Sequence, residues 1–253
     1  MALLKRHLII GTRFARVPAA LLAALALSGF ASDAPAQPEP RPPATFRTLA
    51  LGPNVSGLFY DAFGKPVPVA AGASGFSAPH LAPKDGRLEF YRQLPPATPE
   101  GKPGRDTVAT LQLGEGGPWL VFMAADPRQA AKVNTLVVDH SWESHPVRTM
   151  KVFNFSNRRA LVKVGEDVAE IAPAQSRLFA CPEGNQVRLQ VATREAAGWV
   201  LRAGGPQLIP PRTRSSVILL DQQPSEDRPA TAALLVRNLI DNEPPAPARM
   251  ALN

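Results

Sequence analysis

A single cysteine, Cys181, stands in a chain of 253 residues. It excludes an intrachain disulfide, so the fold must be held by its hydrophobic core. Beside Pro182 and without a basic neighbour, Cys181 reads as a buried, inert thiol packed as a small hydrophobe. Aromatic residues are scarce at 6% and charged residues modest at 19%, whereas there are 28 prolines and 18 glycines. Proline interrupts helical hydrogen bonding and glycine is entropically costly inside an element, so this balance predicts short extended elements joined by turns. At 45% hydrophobic, the chain is rich enough to bury a core.

Several chemical signatures are missing as well. Gly114–Gly117 is followed by neither Lys-Ser nor Lys-Thr and opens no helix, which excludes a phosphate loop or a dinucleotide fingerprint. Gly72-Ala73-Ser74-Gly75 has Phe76 where a nucleophile elbow needs its second glycine, so it reads as a turn. No basic stripe interleaved with aromatics is present, and nucleic acid is not an expected partner.

What the chain does have begins at its N-terminus. Lys5, Arg6, Arg13 and Arg16 precede the apolar run Val17–Leu27, and small residues follow, which is the pattern of a secretory signal peptide over residues 1–36. The apolar run is too short to span a bilayer comfortably, so no integral membrane segment is expected after cleavage. No cysteine follows it, so there is no lipoprotein box. Without residues 1–36 the chain keeps 24 of its 28 basic and 20 of its 21 acidic residues, a net charge of +4. The expected location is periplasmic or extracellular. A Pro-rich tether over 37–45 and a Pro/Ala tail over 242–253 flank the folded part.

Between them the pattern alternates with period two and is punctuated by turn residues. FRTLAL from Phe46, NVSGLFYDAFGKPVPVAAG with a Phe63-Gly64-Lys65 turn, Leu88–Tyr91, Thr107–Leu113, Trp119–Met123 and Val133–Asp139 read as strands. Asp126-Pro127 opens a single helical turn over Arg128–Lys132, and Leu94–Asp106 is an aperiodic loop. The second half repeats the programme. Arg148-Thr149 answers Arg47-Thr48 at an offset of 101, Val187–Gln190 answers Leu88–Tyr91 at 99, and Val217–Asp221 answers Leu120–Ala124 at 97. A period near a hundred residues means duplicated domains rather than a solenoid. The predicted fold is therefore all-β: two tandem immunoglobulin-like β-sandwich domains, 46–145 and 146–241, behind the signal peptide.

The densest group of chemically able side chains is Asp139–His145, which gathers His140, Glu143 and His145. Histidine and carboxylate are zinc or manganese ligands, so a metal-dependent enzyme centred on His140 and His145 is one reading. The competing one is a polar, solvated junction between domains whose Trp142 packs at the boundary. Extended backbone would place Asp139, Ser141, Glu143 and His145 on one face and His140 and Trp142 on the other. Arg158 and Arg159, with Arg148 and Lys151 nearby, form a candidate anion site, against the plainer reading of a solvated hairpin tip.

Phe153-Asn154-Phe155-Ser156, Val162-Lys163-Val164-Gly165, Ile171-Ala172-Pro173-Ala174-Gln175-Ser176 and Pro182-Glu183-Gly184 before Val187–Val191 resemble a class of uncharacterised bacterial cell-envelope domains. The resemblance implies a small β-sandwich that opens with a strand and an Asn/Ser-rich turn, and it brings no catalytic residues. The function expected is accordingly an exported, non-enzymatic envelope protein with a binding or assembly role, without a cofactor, whose partner is an envelope protein or a surface glycan. A carbohydrate-binding accessory module is the alternative, and its exposed aromatics would come from Phe59, Tyr60, Phe63, Phe90 and Tyr91.

Overall fold

The computed structural model describes residues 44–243 apart from 97, 99, 100, 102, 130 and 223–233. The signal segment (1–36), most of the tether and most of the tail lie outside the described residues. Every regular element among them is a β-strand. The first half holds β1 (Thr45–Ala50), β2 (Val55–Ala62), β3 (Lys65–Ala71), β4 (His80–Leu81), β5 (Arg87–Leu94), β6 (Gly104–Gln112), β7 (Trp119–Ala125) and β8 (Val133–Asp139). The second holds β9 (Thr149–Asn154), β10 (Ala160–Val164), β11 (Asp167–Ile171), β12 (Gln175–Ala180), β13 (Gln186–Glu195), β14 (Gly198–Leu208), β15 (Thr213–Asp221) and β16 (Leu234–Asn242).

These strands form four sheets of four, in the orders β4-β1-β7-β8, β3-β2-β5-β6, β12-β9-β15-β16 and β11-β10-β13-β14. Raising each label of the first half by eight reproduces the second, so one pairing scheme is used twice. Even the exception is repeated: β1 pairs parallel with β7, and β9 pairs parallel with β15, while all other pairs are antiparallel. Strand partners also correct the alignment read from sequence. Thr45–Ala50 and Thr149–Asn154 share one burial pattern at an offset of 104. Phe46 pairs with Trp119 and Met150 with Ser215, which puts β7 and β15 at 96. The sequence offsets of 101 and 97 thus slip by three and by one, because loops of unequal length separate equivalent strands.

In each half the two sheets face each other across a core. Phe46, Leu58, Tyr60, Phe90, Val121 and Met123 meet in the first, and Met150, Val162, Phe179, Leu189, Val217 and Leu219 in the second. Side chains alternate along a strand, so the opposite faces of β1, β7, β9 and β15 must also be accounted for. Leu49, Leu120 and Phe122 from one half pack there against Phe153, Ile218 and Leu239 from the other. The inner sheets are therefore stacked back to back and covered on both sides. That explains why Leu120–Met123 and Thr213–Leu219 are buried without a polar alternation, and why the parallel pairs, which are stable chiefly when both faces are covered, lie in these sheets.

Two local expectations change. Asp126 does cap the chain, its Oδ1 accepting the N–H groups of Arg128 (2.7 Å) and Gln129 (3.2 Å), but the segment is a turn stapled by Lys132 N–H to Gln129 O rather than a helix. A connection this short between β7 and β8 has no length to propagate one. The loop read over Leu94–Asp106 is shorter than expected, since Leu94 pairs with Gly104, and Arg105 and Asp106 pair with Gln93 and Arg92. The Phe63-Gly64 turn is as expected, with both residues at positive φ (52° and 75°), the geometry that joins twisted antiparallel strands in two residues.

Phe122 stands at the centre of the shared layer, its ring 5.1 Å from that of Phe153 and 4.9 Å from that of Phe155. Phe122→Ala should cost about 3–5 kcal/mol. Because both halves rest on this layer, calorimetry should show one unfolding transition shifted down as a whole. Two separated transitions, with the upper one unmoved, would be incompatible with a shared core.

Candidate functional site

Beyond Asp139 the Asp139–His145 segment is not extended, and only part of it is solvated. It leaves β8, turns over Trp142–Ser144 and buries both histidines, His140 at 2% and His145 at 0% exposure. Their rings meet at 6.0 Å, so the split of these residues onto opposite faces does not occur. Glu143 stays exposed at the tip.

The cause is Arg214, on the interface side of β15, which is fully buried. A guanidinium carries five N–H donors, and here every one is used. Nη1 donates to the carbonyls of Ser141 and His145 (2.9 Å each), Nη2 to His140 O and Asp241 Oδ2 (2.9 Å each), and Nε to Asp241 Oδ2 (3.2 Å). Its plane lies 3.6 Å from the Trp142 ring centre. The buried carbonyls of His140 and His145 are thereby satisfied, and that of Ser141, which also accepts the His145 N–H (3.1 Å), is drawn to the same group, which is why the chain wraps here. Asp241, cross-strand partner of Arg214, also accepts from Arg47 of β1 (2.8 Å), and His140 Nε2 is 3.3 Å away. Burial alone would raise the Asp241 pKa, but contacts from His140, Arg47 and Arg214 hold it below the usual carboxylate range.

Two cations thus surround one anion, which leaves no reason for the histidines to charge. Burial, then the Arg214 charge, pushes His145 down to about 3, against a weaker upward pull from the Ser215 backbone. Burial also lowers His140, against the pull of Asp241. Among the described residues no three His, Cys, Asp or Glu side chains converge as metal ligands would. The junction ties the two halves together through Arg214 and Asp241.

Arg158 and Arg159 point apart. Arg158 lies 3.3 Å from Glu195 and 3.5 Å from Asp221, whereas Arg159 reaches Glu170 at 2.8 Å. Arg148 is held by the carbonyls of Pro182 and Gly184, and Lys151 sits over the Phe153 ring at 5.6 Å in the interface layer. Each is committed to a different contact, so no joint anion site forms. Cys181 is buried, and burial pushes its thiol up to about 11 despite the Arg148 charge. The aromatic series is also dispersed: Tyr60, Phe90 and Tyr91 are buried, Phe59 is half-buried, and Phe63 stands alone at its turn.

Concave surface lies instead on the outward faces of the two outer sheets, at equivalent places. In the first half Asp61, Asp85, Arg87, Glu89, Tyr91 and Arg105 line a polar hollow of about 240 Å³. Tyr91 donates to Asp61 (2.7 Å), Arg105 binds the same carboxylate (2.5 Å), and burial followed by that hydrogen bond pushes the Tyr91 phenol up to about 12. In the second half Leu161, Lys163, Val168, Gln190, Ala192 and Leu201 line an apolar groove of about 260 Å³. Strand pairing sets Lys163 where Asp61 stands, Ala192 where Tyr91 stands and Leu201 where Thr107 stands. The scaffold is shared, and its two exterior surfaces have opposite chemistry.

Compared with known protein families and with curated proteins, the sequence matches none of them.

Two outcomes follow from the junction. Arg214→Met takes the guanidinium donor from the buried carbonyls of His140 and His145 and leaves Asp241 with one cation fewer, and should lower the unfolding free energy by about 3–5 kcal/mol in denaturant titration. The histidines set an acid limit. An unfolded His145 takes its proton near 6.5 and the folded one only near 3, so its share of stability is complete above 6.5 and falls as pH drops through that interval. The slope is about 1.4 kcal/mol per pH unit. His145→Phe should flatten the pH 4–6 limb of a melting-temperature profile, leaving the contribution of His140 and, toward pH 4, that of carboxylates held below their ordinary range such as Glu195 and Asp241.

Proposed function

We propose that this is an exported, non-enzymatic protein of the cell envelope, built as two tandem immunoglobulin-like domains (46–145 and 146–241), which serves by binding a partner. The observation that carries the reading is the apolar groove on β11-β10-β13-β14. There Leu201 and Val168 are 62% and 50% exposed, with Trp199 also exposed on the same face of β14. A contiguous apolar patch on the outside of a sheet that already has a filled core on its other side serves no folding purpose, and such patches mark interaction surfaces. The signal-peptide pattern of residues 1–36 and the envelope-domain resemblance of residues 153–191 supply the compartment.

A glycan-directed module is favoured less. Sugar rings stack on exposed aromatics, and the described surface offers Phe63 and Trp199 on different halves rather than in a line.

A photo-reactive residue placed at Leu201, and separately at Thr107 as the equivalent position of the first half, tests this in the native envelope. The expected result is a protein shortened by loss of its first residues, found outside the cytoplasm, with a discrete adduct from position 201 only. Cytoplasmic retention, or no adduct at 201, would count against the reading.

A further inference from the structure

The groove also says what kind of partner it takes, granted that it is the binding surface. Two rows of side chains cross the sheet at its centre. One runs through Leu161, Ala192 and Leu201, the other through Val168, Lys163, Gln190 and Gly204. Small Ala192 makes the depression between Leu161 and Leu201, and Gly204 adds no side chain beside Gln190. Along β13 this floor is bounded at one end by Arg188 and at the other by Arg194, both exposed.

The charges are unevenly committed. The acids of this face are occupied, Glu170 by Arg159 (2.8 Å) and Glu166 by Lys163 (3.2 Å). Neither Arg188 nor Arg194 has a carboxylate within ion-pair distance among the described residues, and Arg194 only flanks the Trp199 ring at 5.6 Å. The face is therefore apolar in the middle and cationic, with unspent donors, at both ends. The two arginines are six positions apart along the strand, roughly 20 Å.

A second copy does not fit this pattern. A twofold dimer sets the face against itself. Turning a copy about an axis across the strands brings Arg188 against Arg194, and turning it about an axis along them lays both over β10, which carries Lys163. Either way like charges meet over the groove. Nor does the polar hollow of the first half suit it, because seating Leu201 there would strand the Asp61 and Glu89 carboxylates away from water.

We infer that the groove receives an extended protein segment bearing two carboxylates six residues apart, with apolar side chains at the alternate positions between them. In extended backbone every second side chain shares a face. A segment laid along β13 thus sets its acids on Arg188 and Arg194 and its two apolar residues on the rows between, one over Gln190 beside Gly204 and one over Ala192 between Leu161 and Leu201.

Calorimetric titration of the exported full-length protein tests this with three synthetic peptides: Glu-Ser-Val-Ser-Leu-Ser-Glu, its Lys-flanked counterpart, and a Glu-flanked peptide with serine throughout. The first should bind at least about tenfold more tightly than either control. An Arg188→Glu, Arg194→Glu double variant should reverse the preference toward the Lys-flanked peptide. Both side chains are exposed, so its melting temperature should match the parent, which establishes that the fold is intact. Equal binding of the Glu- and Lys-flanked peptides, preference for the Lys-flanked one by the parent, or no peptide binding overturns the inference. So does a concentration-dependent dimer abolished by Leu201→Asp, since a second copy would then be the occupant. If the photo-adduct at position 201 forms while the peptide preference is absent, only the partner chemistry is wrong. If neither occurs, the binding surface itself is wrong.

Discussion

The structure depends on one buried guanidinium. Arg214 is placed in the interior on the interface side of β15, where an unpaired charge would be prohibitive. It is tolerated because all five of its donors end on oxygen and its face rests on Trp142. In meeting that requirement it determines much else. It pulls the connection between the halves into a tight turn, fixes the position of Asp241, and through Asp241 reaches Arg47 on the first strand of the fold. A lysine could not substitute, having three donors on a flexible stem and no plane to stack.

The polar lock and the aromatic layer divide the interface between them. Leu49, Leu120, Phe122, Phe153, Ile218 and Leu239 provide non-directional burial, which would tolerate sliding of one sheet over the other. The Arg214–Asp241–Arg47 group is directional and supplies register. Arg237, donating to Ala50 O at 2.9 Å, adds a further cross-link between the halves. The two halves are thus stacked layers of one body rather than beads on a tether. Their outer sheets are the surfaces left free to diverge, and they have done so: a polar hollow on one, an apolar groove with arginines at its ends on the other.

That divergence explains why the most conspicuous residues were not those at the surface sites. His140 and His145 attract attention in a sequence because imidazole is versatile chemistry, yet the surroundings that bury them are drawn from strands far along the chain. Asp241 and Arg47 are 194 residues apart, and Arg214 is 74 from His140. Nothing local signals that Arg214, within Pro-Pro-Arg-Thr-Arg-Ser, is the buried one while its neighbour Arg212 is exposed and pairs with Glu243. The nearest signal lies just beyond that stretch: the unalternating apolar run Val217–Leu220 marks the strand as covered on both faces, which puts Arg214 where only a satisfied charge can be. The groove was harder to see still. Leu161, Ala192 and Leu201 sit on three strands, and an alternating strand does not reveal which of its two faces meets a core.

What the sequence determined alone is what local chemistry can specify: strands, from period-two alternation of β-favouring residues, and turns, from Gly, Pro and Asn. The all-β class and the twofold use of one pattern follow from those, since both are sums of local signals. Tertiary structure decided the rest. Back-to-back stacking of the inner sheets, the neutral state of the histidines, the separation of Arg158 from Arg159 and the exposure of one particular apolar face all depend on residues distant in the chain coming within a few ångströms. Burial and ion pairing act through space, and the spacing of residues along a strand carries no record of which distant partner will cover them.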